Sequence, residues 1–132
     1  MDMEIKKQKN DFKQEFQRRL VHFTVRTLKL CRSLREERTL WEVADQLARS
    51  AASIGANVSE AKGSGSLRGY KNYFEIAVKS AHETKYWFTV IAEFEIGDNG
   101  PLKELEKELM EIIRILNASI LTMKGRPKNI DS

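Results

Sequence analysis

Two histidines, one cysteine and a scatter of serines are the residues of this 132-residue chain that could do chemistry unaided. A di-metal site in a helical protein needs inward glutamates and Glu-x-x-His pairs, because that spacing sets carboxylate and imidazole on one helix face. Arg19 and Lys79 stand three residues before His22 and His82, so neither pair exists. His82-Glu83 lacks the second histidine four residues on that a zinc-protease helix requires. Cys31 falls beside an apolar seam, where a small core residue is the better account than a nucleophile. No serine sits in a nucleophile elbow. Gly63, Gly65 and Gly69 have no strand before them and no Gly-Lys-Ser/Thr after them, so they suit a flexible connector better than a phosphate loop. The expectation is a chain that is not an enzyme, with no metal and no cofactor.

What could bind is charge. The formal net charge is +4, and residues 1–38 carry eleven Lys and Arg against six Asp and Glu. Arg18, Arg19, Arg26, Lys29, Arg32 and Arg35 lie mostly off the apolar stripe of the first helix. They form either a solvated face or a ridge that contacts phosphates. Salt separates the two, since phosphate contacts make affinity fall steeply with ionic strength.

A second constellation is polar and lies in the middle of the chain. Ser53, Asn57 and Glu60 follow one another at four and three residues, and Ser80 and Glu83 at three. Counting back from the intervening loop sets Arg49 near Ser80 and Glu83, and an Arg49–Glu83 interhelical pair is expected. This cluster either sets the register of two packed helices or lines a pocket.

These groups are positioned by helices. Phe12, Phe16, Leu20, Phe23, Thr27, Leu30 and Leu34 recur every three or four residues and predict a helix over about 5–34. Thr39 and Glu42 have capping-box spacing, so a second helix is expected over about 40–62, with Leu40, Ala44, Leu47, Ala51, Ile54, Val58 and Ala61 as its seam. Gly55 in its interior, beside Ala52 and Ala56, argues for close helix packing. Ser66 suits the N-cap of a third helix over about 67–96, closed by Gly97. Pro101 suits the start of a fourth over about 101–124, with a tail at 125–132. On that helix, Glu104, Glu108 and Glu111 stand at pairing distance from Lys103, Lys107 and Arg114. The third helix carries two stripes. One is Tyr70, Phe74, Ala77, Ala81, Thr84, Phe88 and Ile91; the other holds Tyr73, Trp87, Val90 and Phe94. The second needs another cover, and with Trp41 it is assigned to a subunit interface.

The fold class that follows is all-α, an up-down-up-down antiparallel four-helix bundle, in one domain spanning 1–132. A chain of this length buries enough surface to fold without staples. One cysteine, an N-terminus without an apolar signal region and no long apolar run place it in the cytoplasm, with no membrane partner.

Two stretches carry a resemblance. RSAASIGANVSEA, from Arg49 to Ala61, and YFEIAVKSAHET, from Tyr73 to Thr84, resemble the small bacterial family of 23S rRNA intervening-sequence proteins, also labelled S23 ribosomal protein. Arg49, Ser53, Ile54, Asn57 and Glu60 stand for the first motif, and Tyr73, Ile76, Ala77, Ser80 and Glu83 for the second. The specific part covers about thirty-five residues. Val58-Ser59-Glu60-Ala61-Lys62 departs from the usual Ile-Ala-Glu-Gly, and the basic loop of the family is thinned to Lys62 and Arg68. The resemblance implies a four-helix bundle that forms a ring-shaped homopentamer. It also implies partners among RNA or DNA, or a protein such as a reverse transcriptase, through a related accessory protein of diversity-generating retroelements. The expected function is therefore a non-enzymatic oligomeric scaffold that binds nucleic-acid backbone through the basic first helix. The rival expectation is a protein-interaction bundle without nucleic-acid binding. No aromatic platform for stacking bases is evident in the sequence.

Overall fold

The computed structural model describes residues 2–94 and 100–125. Helix α1 spans Asp2–Leu34, α2 Trp41–Ala61, α3 Leu67–Phe94 and α4 Gly100–Lys124, and the described residues contain no strand. Consecutive helices are neighbours, α2 and α3 most extensively, and α4 closes the ring of contacts against α1. This is the expected up-down-up-down bundle.

The seams fill the core much as their spacing predicts. All seven residues of the second seam, Leu40 just before α2 and the six within it, are buried, as are Phe74, Ala77, Ala81, Thr84, Phe88 and Ile91 of α3. Leu102, Leu105, Leu109, Ile112, Leu116, Ile120 and Met123 line the inner face of α4. Phe23 of α1 meets Phe88 of α3 edge to face at 6.3 Å, spanning the bundle. Burying each such side chain contributes roughly 1.5–3 kcal/mol, so the core and not helix propensity holds the four segments together.

Four local differences have physical causes. In α1 the buried set is Phe16, Leu20, Phe23, Thr27, Cys31 and Leu34, so Cys31 takes the place expected for Leu30, and Leu30 is half-buried. Phe12 is exposed, as is every residue from Asp2 to Glu15, so the core face of α1 begins one turn later, at Phe16. The capping box of Thr39 and Glu42 does not form. Arg38–Leu40 make a 3-10 turn instead, α2 begins at Trp41, and its N-cap Leu40 has no side-chain cap. Burial of Leu40 and a hydrogen bond from Trp41 Nε1 to the Arg35 carbonyl, 2.8 Å, hold this corner. Finally, Pro101 is the second residue of α4, since the helix opens at Gly100.

The α2–α3 connection behaves as expected. Ser66 Oγ accepts the Gly69 backbone N–H at 3.0 Å, the bond of an N-cap. Gly65 has φ +76°, which a residue with a side chain adopts rarely. The expected Gly97 cap, the turn before Pro101 and all but the first residue of the tail lie outside the described residues.

Candidate nucleic-acid interface

The six cations of the basic face divide into paired and unpaired. Arg19 donates from Nε and Nη2 to the two carboxylate oxygens of Glu108, at 2.6 and 2.8 Å. That bidentate bond raises the Arg19 pKa further and fixes its charge on α4. Arg26 reaches Glu104 at 3.5 Å, Arg35 reaches Asp45 at 2.6 Å, and Arg18 reaches Glu15 at 3.5 Å. Arg35 is held in its charged form mainly by the hydrogen bond to Asp45. Lys29 and Arg32 are exposed and make no ion pair among the described residues.

The α4 carboxylates are responsible for much of this. Glu104 and Glu108 were expected to pair along their own helix, but they cross to α1. Only Arg114–Glu111, at 2.8 Å, is the expected intrahelical pair. In an antiparallel pair, carboxylates flanking the α4 seam face the guanidinium groups flanking the α1 seam. One helix sequence read alone does not show that.

The polar cluster assembles in part. Ser53 Oγ and Ser80 Oγ are 2.8 Å apart, and Asn57 Nδ2 donates to the Ser53 carbonyl at 2.8 Å and to its Oγ at 3.0 Å. Ser50 and Thr84, which the residue pattern did not single out for this role, bring their hydroxyl oxygens within 2.9 Å deeper in the same seam. The Arg49–Glu83 pair does not form. Arg49 is exposed without an ion-pair partner among the described residues, and Glu83 accepts from Trp87 Nε1, one turn along its own helix, at 3.2 Å. The hydroxyls at positions 50 and 53 turn towards α3, with the Asn57 amide on the same face, and Arg49 and Glu83 each lie one residue off that line. The cluster is thus a set of hydroxyl and amide contacts that fixes helix register.

The aromatic residues assigned to an interface are not equally available. Trp41 is half exposed and lies under the Arg38 guanidinium at 5.3 Å. Tyr73 and Trp87 are half-buried against the core, and Phe94 is 47% exposed. Tyr86, absent from the expected set, is 60% exposed and meets Trp87 edge to face at 5.0 Å. On the other side of the molecule, an open groove of about 300 Å³ runs between α1 and α2, lined by Val21, Val25, Ala52, Gly55, Ala56 and neighbours. Gly55 forms its floor because a Cβ there would lie 3.4 Å from Leu20 Cβ. The close approach expected of Gly55 is therefore to α1.

Cys31 is fully buried, and desolvation pushes its thiol up to about 11. It is a core residue and stays protonated at neutral pH. No helix of the described residues is long and apolar enough to cross a membrane.

Comparison with known proteins bears on this geometry. Residues 12–118 match the family model described as 23S rRNA-intervening sequence protein. A crystal structure of a protein of unknown function from the S23 ribosomal protein family of Bacteroides thetaiotaomicron VPI-5482 is similar. It has 30% sequence identity and a TM-score of 0.75, covering 80% of this chain and 97% of that one. No curated protein matches the sequence.

Proposed function

Because the chain belongs to the 23S rRNA-intervening sequence protein family, we propose that it is a non-enzymatic oligomeric scaffold that binds the backbone of nucleic acid, RNA foremost. The observation that carries this is Lys29 and Arg32: two exposed cations on α1 with no ion-paired carboxylate among the described residues. Arg18 adds to them, since its pair with Glu15 is solvent-exposed and contributes little. Arg19, Arg26 and Arg35 are already engaged by acids and join only when those bonds open. Such contacts give affinity without reading bases.

Copies assemble through Trp41, Tyr73, Trp87 and Phe94, as a ring of five. Assembly multiplies a modest charge per chain, which is how +4 becomes enough to hold a polyanion. The exposure of Tyr86 and Phe94 favours a second reading, in which the same apolar surface binds a different protein.

Filter binding of RNA and duplex DNA across a salt series tests the proposal. The expected result is a steep fall of affinity with salt, reduced by about 0.7–0.9 in log–log slope for each phosphate contact removed. Binding that is flat or absent at low salt overturns it and leaves the protein-partner reading. Light scattering tests the assembly: a monomer at micromolar concentration removes the interface assignment.

A further inference from the structure

The strongest concentration of free positive charge in the bundle is not on the middle of α1. It is at the end where α1 begins, α2 passes into α3, and α4 finishes. The antiparallel order brings these three places together. Arg19–Glu108 and Arg26–Glu104 run α4 against α1 so that Lys124 descends towards the start of α1. Lys13 Nζ, 5.5 Å from the Tyr70 ring centroid, ties α1 to the first turns of α3.

Residues 2–13, 59–71 and 121–125 hold eight Lys and Arg against four Asp and Glu. Their balance of +4 equals the net charge of the whole chain. None of the eight cations is ion-paired among the described residues. The contrast with the middle of α1 is direct, because there α4 supplies Glu104 and Glu108.

One exposed aromatic ring belongs to this end of the bundle. Phe12 is 57% exposed, next to Lys13 in sequence and packed on Phe16 at 6.5 Å. An exposed aromatic ring beside unpaired cations suits unstacked bases and their backbone, whereas the bases of a duplex are already stacked on one another.

We infer that this end of the bundle is a site for single-stranded nucleic acid, with Lys13, Lys62 and Arg68 contacting phosphates and Phe12 stacking on a base. The inference rests on the nucleic-acid reading above and moves its principal contact from the Lys29–Arg32 face to the start of α1.

The test uses the full chain, a fluorescein-labelled oligouridine, an RNA duplex and a salt series, with helicity and light scattering recorded for each variant. The end variant is Lys13→Glu/Lys62→Glu/Arg68→Glu, the face variant Lys29→Glu/Arg32→Glu, and a third is Phe12→Ala. The end variant is expected to lower the salt slope for oligouridine by about 2, at about 0.7 per contact. Phe12→Ala is expected to weaken oligouridine about tenfold and the duplex much less. Lys13→Arg/Arg68→Lys, which keeps the charge, is expected to bind as the unaltered chain does.

If the unaltered chain binds neither RNA at low salt, the proposed function itself falls. If it binds, the face variant loses binding and the end variant does not, the function stands and this inference is overturned. If Phe12→Ala changes the assembly mass and leaves binding alone, Phe12 contacts another copy, and the stacking assignment is overturned.

Discussion

Arg19 of α1 and Glu108 of α4 share two hydrogen bonds across eighty-nine residues of chain. Their side chains are 36% and 20% exposed, so the pair is only partly screened by water. It closes the seam on the side where the helices touch least and withdraws one arginine from the surface available to a polyanion. Both effects can be measured in one variant. Glu108→Ala is expected to lower stability by about 1 kcal/mol in urea unfolding. If the α1 face binds RNA, the same variant releases Arg19 and raises RNA affinity at low salt. Unchanged stability would show that the bond holds nothing together, and unchanged affinity that Arg19 lies away from the ligand.

The Ser50–Thr84 contact makes a sharper prediction about the α2–α3 seam, because both residues are almost wholly buried. Ser50→Ala is expected to cost up to about 1 kcal/mol, since the Thr84 hydroxyl loses the Ser50 oxygen where water does not reach and keeps only the Ser80 carbonyl, at 2.8 Å. Thr84→Val is expected to cost a similar amount. The double variant is expected to cost less than the sum, with a coupling on the order of 1 kcal/mol by a thermodynamic cycle. Additive losses would reduce the contact to coincidence.

Cys31 gives a pH dependence. Its thiol titrates near 11 in the folded chain, against an ordinary value of 9.0, because burial disfavours the thiolate. Below pH 9 both states hold the proton, and the group does not alter stability with pH. Between about 9 and 11 the unfolded chain releases the proton and the folded chain keeps it, so stability falls as pH rises, by on the order of 1–3 kcal/mol. Cys31→Ala is expected to remove that slope while costing some packing. A thiol reagent at pH 8 is expected to label the folded chain only at the rate of unfolding. Rapid labelling would contradict the burial.

The bundle itself was plain in the spacing of apolar residues. The seam of α2, Leu40 to Ala61, and that of α4 came through unaltered, because three- and four-residue recurrence is a property of one helix and needs no neighbour. Features that depend on a second helix were harder. Phe12 continued the stripe of α1, yet the packed bundle leaves it exposed. Glu104 had Lys107 three residues along its own helix, yet arginines across the seam took both Glu104 and Glu108. The Arg49–Glu83 pair failed by one residue of register on each helix, whereas Ser53, Asn57 and Ser80 met as expected. The basic face suffered most from this blindness, since a list of arginines does not record which are already neutralised. For the charged end of the molecule, the signal was present: the four lysines before residue 14 and the three cations around the α2–α3 loop gather only once antiparallel topology folds them to one end.

The exposed start of α1 has a consequence for how the chain breathes. From Asp2 to Glu15 no side chain is buried, and the first core contact is Phe16. Backbone amides in those fourteen residues therefore exchange with solvent deuterium through local fraying, while amides beyond Phe16 wait for cooperative opening. Removing residues 2–11, which leaves Phe12 on Phe16 and Lys13 over Tyr70, is expected to change the melting temperature little in a thermal scan. If that limb holds a ligand, its side chains can be varied for affinity while the core that begins at Phe16 keeps the scaffold intact.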